Sequence, residues 1–117
     1  MSERLDTAAI ARAFTEAWSS HDMETAAGYL AEDVTFDGPI NHSSGRQAYI
    51  EGLSAFAQRV SHLKIIAALG DDTQAMIVYE LTTGPLTATY AERLTFSDGK
   101  IQTDQLIFDS YPMRQGQ

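Results

Sequence analysis

Acid–base chemistry needs carboxyls held beside a substrate, and three acids of this chain stand in positions that could hold them so. Asp37 closes a short apolar run, Val34-Thr35-Phe36, and is followed at once by Gly38-Pro39 and then by His42. A strand that ends on an acid and a turn delivers that acid to a rim. There it could act as a general base, which must sit near its substrate with a tuned pKa. A turn acid that bonds the loop amides is the competing reading. His42 titrates near neutral pH, so it could shuttle protons or orient a ligand. A solvated loop histidine is its plainer reading.

The other two acids are Glu92 and Asp104. Side chains alternate across a strand. In LTATYAERLTFS, Ala88, Tyr90, Glu92, Leu94 and Phe96 share one face, and Thr87, Thr89, Ala91, Arg93 and Thr95 share the other. The first set is more apolar, which predicts that it faces the core, with Glu92 among apolar neighbours. The position of Asp104 depends on the turn at Ser97-Asp98-Gly99. A type I turn with Gly99 in a left-handed bulge pairs Phe96 with Lys100 and Glu92 with Asp104, turning Asp104, Leu106 and Phe108 inward. A two-residue Asp98-Gly99 turn instead puts Ile101, Thr103, Gln105, Ile107 and Asp109 inside. The bulge makes the better core, because Leu106 and Phe108 then meet Tyr90 and Leu94. Two carboxyls side by side in a partly dry site raise one pKa and can hold a proton. Alternatively, Arg93, Lys100 or a hydroxyl neutralises them, or one of them faces water.

Around these acids the expected pocket wall is aromatic. Trp18, Tyr49 and Tyr90 each add a polar handle to an apolar body. Phe36, His42 and Phe108 complete the candidate ligand-binding set. No pair of histidines has metal-ligand spacing on a helix, so no metal site is expected. No glycine-rich phosphate loop and no paired nucleophile are present, and no cofactor is expected. There are no cysteines.

The elements that must position these groups follow in order. Asp6 or Thr7 can cap a helix over 6–20, with Ile10, Phe14, Ala17 and Trp18 on one face. Asp22 can cap a shorter helix to about Leu30. A strand covers 34–37, and a helix covers 45–60, where Gly52 suggests close packing against a neighbour. Four strands rich in β-branched and aromatic residues then run to the end, joined by short Gly-containing links that imply antiparallel neighbours. This is an α+β order. It predicts a conical, barrel-like fold in which a curved antiparallel sheet wraps three helices of the N-terminal half and leaves a central pocket. The tail, SYPMRQGQ, can pack over the opening or fray.

The totals set limits. The 117 residues make one domain, 1–117. Eight bases against sixteen acids give a net charge of −8, which argues against nucleic acid as a partner. No run approaches the ~20 apolar residues of a membrane span. The start shows no signal peptide, and a cytoplasmic location is expected.

The motifs AFTEAWSSHD, METAAGYLAEDVTFDGP, GRQAYIEGL and DGKIQTDQLIFD together resemble the nuclear transport factor 2-like superfamily, and more narrowly its SnoaL-like domains. The resemblance covers nearly the whole chain. It implies a cone fold, an apolar pocket for a small apolar or partly polar metabolite, and a homodimer formed through the outer sheet face. The superfamily includes ketosteroid isomerases, polyketide cyclases, epoxide hydrolases and non-enzymatic binding modules, so fold alone does not select a function. The steroid isomerases' base falls here on Gly38, one residue after Asp37. Their oxyanion tyrosine falls on Phe14, and their oxyanion acid falls near Glu92. The cyclases' acid matches Asp104 or Asp109, without a histidine on 73–111. The epoxide hydrolases' Asp–Arg–Asp set finds only a loose echo in Arg93 with Glu92 and Asp104. The expectation is a cofactor-independent isomerase, cyclase or hydrolase type of enzyme with Asp37, Glu92 and Asp104 as acids and bases. The alternative is a non-catalytic ligand-binding or protein-interaction module.

Overall fold

A computed structural model of the chain describes residues 6–110. The expected tail over the pocket opening falls largely on 111–117, outside the described residues.

Asp6 starts the first helix by accepting a hydrogen bond from the Ala9 amide at 3.0 Å, which satisfies one of the donors that a helix start leaves open. Helix α1 runs Thr7–Ser19. Ala11, Phe14, Ala17 and Trp18 recur along one of its faces and are buried. Asp22 repeats the device for α2, Met23–Gly28, through the Thr25 amide at 3.2 Å. Helix α3, Arg46–Ala57, follows Gly45, whose φ of 93° admits glycine readily.

The strands are β1 Leu30–Asp37, β2 His42–Ser44, β3 Val60–Gly70, β4 Gln74–Thr83, β5 Leu86–Ser97 and β6 Lys100–Ile107. They form one sheet in the order β2-β1-β6-β5-β4-β3. The first strand therefore begins four residues before the expected Val34, and His42 stands in a short edge strand rather than a loop. The sheet is also not wholly antiparallel. β1 runs parallel to β6, with Phe36 opposite Asp104; no hairpin joins these two distant segments, so nothing forces them antiparallel. Register shifts interrupt β3–β4, β5–β6 and β1–β6. Such irregularities bend strands and increase their twist. The sheet curves without closing, and α1 packs on β3 and β4 while α3 packs on β1.

Two local contacts matter for placement. The Thr7 hydroxyl lies 2.6 Å from the Asp71 carbonyl oxygen and 2.9 Å from that of Gln74, tying the start of α1 to the β3–β4 turn. Gly70 makes this possible, since a Cβ there would come within 2.1 Å of the Thr7 hydroxyl oxygen. Gly52, by contrast, is not a close-packing residue. A Cβ there would meet no atom within 4 Å, because this face of α3 borders a cavity.

The β5–β6 turn corrects the expected register in part. Asp98 and Gly99 both have positive φ, 52° and 77°, and Ser97 pairs with Lys100. That is the two-residue turn, not the type I turn with a bulge. The ladder then slips: Phe96 pairs with Ile101 but Thr95 pairs with Thr103. The slip at Gln102 restores the other parity, so Asp104 and Leu106 point inward after all. Glu92 faces Leu106, and Asp104 faces Leu94. The two acids are thus diagonal neighbours on one face, not direct partners.

Candidate active site

A cavity of about 580 Å³ opens between α3, the sheet and the β1–β2 hairpin. Its wall includes Trp18, Phe36, Tyr49, Phe56, Tyr79, Tyr90, Leu106 and Phe108, with Glu92 and Arg59 as its charged members. Aromatic contacts hold the wall in shape. Tyr79 stacks on Tyr90 at 5.8 Å, Tyr90 meets Phe108 at 4.8 Å, and Trp18 sits edge-on to Tyr79 at 6.2 Å. Phe36 stands edge-on to Tyr49 at 5.5 Å.

Glu92 and Asp104 lie at the inner end, 4% and 1% exposed. Each is held by a tyrosine. Tyr79 donates its hydroxyl proton to Glu92 Oε1 at 2.5 Å, and Tyr49 donates to Asp104 Oδ2. The bases that could have neutralised the acids are turned elsewhere. Arg93 Nε donates to Gln74 at 3.0 Å, and Lys100 Nζ donates to the Gly28 carbonyl at 2.6 Å.

This arrangement favours the protonated forms of Asp104 and of both tyrosines. Burial pushes the Asp104 carboxyl well above its usual range; the charge of Glu92 and a hydrogen bond with it push the same way, and the Tyr49 bond only partly opposes them. Asp104 Oδ1 receives no hydrogen from any ordinary donor among the described residues. A buried oxygen left so is costly. A proton carried by Asp104 and directed at Glu92 would satisfy it. Tyr49 and Tyr79 are both raised well above 10.0, first by burial and then by the nearby carboxyls, so they stay protonated donors. Tyr90 is raised by burial, with Arg59 opposing.

The expected site residues divide as follows. Trp18, Phe36, Tyr49, Tyr90, Phe108 and Glu92 come together on the cavity wall. Asp104 sits directly behind that wall, without reaching it. Asp37 and His42 do not join the group. They are exposed partners in the β1–β2 ladder, and strand alternation puts Asp37 on the face opposite to Phe36. Asp109 is also exposed and lies off the wall. Among the wall residues outside the expected set, Tyr79 and Arg59 bear most on the chemistry. Tyr79 shares the inward parity of Ala75, Ile77 and Leu81 along β4, a signal that was available. Arg59 depends on where α3 ends, which was read three residues too late. Among the described residues, no group of three or more His, Cys, Asp or Glu could hold a metal ion. No described helix is long and apolar enough to cross a membrane.

The SnoaL-like domain family matches the chain over residues 11–103. No curated protein matches it. Among solved structures, a protein from Kribbella flavida DSM 17836 is 32% identical with a TM-score of 0.85, over 96% of this chain and 91% of that one. An NTF2-like protein of unknown function from Cytophaga hutchinsonii ATCC 33406 is 19% identical with a TM-score of 0.81, over 97% and 99%. An LEH-like epoxide hydrolase from M. tuberculosis is 22% identical with a TM-score of 0.77, over 98% and 91%. At these last two identities the likeness concerns the fold alone.

Proposed function

We propose that this chain, which belongs to the SnoaL-like domain family, is a cofactor-independent acid–base enzyme acting on a small, largely apolar carbonyl compound. The observation that carries the reading is the buried carboxyl pair at the inner end of an aromatic pocket, with tyrosine donors and no base beside it. Asp104 holds its proton behind the wall, and Glu92 presents a carboxyl to the cavity.

In the proposed step Glu92 takes a proton from the carbon next to the carbonyl. The electrons of that C–H bond move toward the carbonyl oxygen and form an enolate. Tyr90 lines the pocket and its hydroxyl has no hydrogen-bond partner among the described residues, so it is the donor free to meet that oxygen. Glu92 then returns the proton to another carbon of the same skeleton, so the reaction needs no second reactant. Asp104 and Tyr49 act through Glu92 and are positioning residues.

The test is deuterium uptake. Apolar ketones and 1,3-diketones are incubated with the protein in D2O, and α-proton loss is followed by NMR. Exchange above the buffer rate is expected for those that bind. A panel of compounds that bind yet exchange only at the buffer rate sinks the enzyme reading. It supports the second one, a binding module without turnover, which draws on the Tyr79 bond already occupying one oxygen of Glu92.

A homodimer through the outer sheet face is part of the proposal. Leu69, Met76 and Ile107 are exposed there by 74%, 40% and 48%, and an apolar strip of this kind favours a partner. Sedimentation at micromolar concentration should show twice the chain mass, and Met76→Glu should shift the population toward monomer. A 12.8 kDa species alone in the unaltered protein overturns it.

A further inference from the structure

The proposed chemistry uses the acid of the pocket wall and leaves its base unexplained. Arg59 is the single basic residue among the described wall residues. It follows the end of α3, where its amide bonds the Phe56 carbonyl at 2.9 Å. Its guanidinium stands 5.7 Å from the centre of the Phe56 ring, close enough for the ring face to hold the cation. No described residue forms an ion pair or side-chain hydrogen bond with it.

The wall is electrically two-ended. The carboxyls dominate the surroundings of the Tyr49 and Tyr79 hydroxyls, whereas Arg59 is the charge felt by Tyr90. The two regions meet at the stacked pair, Tyr79 bonded to Glu92 and Tyr90 beside it. Elsewhere the chain, with net charge −8, repels anions. A guanidinium without an ion-pair partner among the described residues, on a largely aromatic and aliphatic wall, reverses that repulsion locally. Its planar fork of N–H donors fits a carboxylate with two parallel bonds.

We propose that Arg59 anchors a carboxylate at the outer end of the pocket, so that the natural ligand is an apolar acid whose body runs inward along the aromatic wall toward Glu92. This rests on the pocket reading but not on turnover. A competing role for Arg59 is to complement the C-terminal end of α3, which makes no distinction between charged and neutral ligands.

The test uses the neutral fluorophore N-phenyl-1-naphthylamine as a pocket reporter, read through Trp18. It is displaced by 1-naphthylacetate or by 1-naphthylacetamide, which match in shape and differ in charge. In the unaltered protein the acid should displace the reporter about three- to tenfold more tightly than the amide. Arg59→Gln should abolish that preference, bringing the ratio of acid to amide affinity to about one. Arg59→Lys, which keeps the charge but not the fork, should retain part of it. Equal affinities in the unaltered protein overturn the proposal, as does a preference that survives in Arg59→Gln. If the reporter does not bind at all, the pocket reading falls and this proposal with it. Absence of deuterium exchange alone touches only the enzyme reading.

Discussion

Glu92→Gln should lower the rate of α-proton exchange by about 10²- to 10⁴-fold, the usual contribution of a positioned general base. Glutamine keeps the length and shape of the side chain, and its amide oxygen can still accept from Tyr79. The same oxygen, with two lone pairs, can also accept from the protonated Asp104. The wall should therefore stay in place, and substrate affinity should change little. The loss should appear in kcat rather than in KM, as expected for a group that acts on the transferring proton. Tyr79→Phe should cost less, since it removes one hydrogen bond to the base and not the base itself. Asp37→Asn should leave the rate within about twofold, because Asp37 is exposed and off the pocket wall. If Glu92→Gln retains full exchange activity, the base lies elsewhere. If Asp37→Asn is the damaging change, the rim acid is the base and the buried pair is structural.

Strand alternation made much of this site legible, and the failures have specific causes. Glu92 was found because it stands alone among apolar residues on the inward face of β5. Asp104 was found by a route that was half right. The Asp98-Gly99 pair is a strong two-residue turn signal, and the fit of Leu106 and Phe108 to the core argued for the opposite parity. Both signals are obeyed, because the ladder slips at Gln102; treating the register as one number made them look incompatible. Asp37 was expected at the pocket rim with Phe36 on the wall, yet neighbours on a strand point to opposite faces. Tyr79 could have been found by the same alternation that found Glu92. Arg59 could not, since its placement depends on α3 stopping at Ala57, and helix ends are poorly marked when no glycine or proline follows. The parallel β1–β6 pairing was likewise hidden, because it joins segments that are distant in the chain.

Asp104→Asn carries the other large expectation, and its sign is unusual. The substitution should stabilise the protein at pH 7 by about 1–2 kcal/mol, in line with the cost of a buried ionisable group that lacks an opposite charge. An unfolded aspartate loses its proton near pH ~4. The folded Asp104 keeps its proton to well above that, through burial and the neighbouring Glu92. Between those limits the native state binds more protons than the unfolded state, so stability falls as pH rises. The contribution is fully present below pH ~4 and is lost as pH climbs through the folded value. Asparagine has no proton to lose. Its amide can donate toward Glu92 while its carbonyl oxygen accepts from Tyr49, so the bonds around the site survive the change. Two other acids run the opposite way. Asp22, held below 3.8 by its bonds to Thr25, and Asp71, held below 3.8 by the Thr73 and Gln74 amides, lose their contribution as pH falls. Their arm lies on the acid side and is common to both proteins. Urea unfolding from pH 4 to 9 at constant ionic strength should therefore give nearly equal stabilities at the acid end, and a gap in favour of Asp104→Asn that widens with pH. Parallel curves would mean that folding leaves the Asp104 titration unshifted, and a variant less stable at pH 7 would mean that Asp104 is ionised and paired; in either case the proton would have to be taken out of the proposed mechanism.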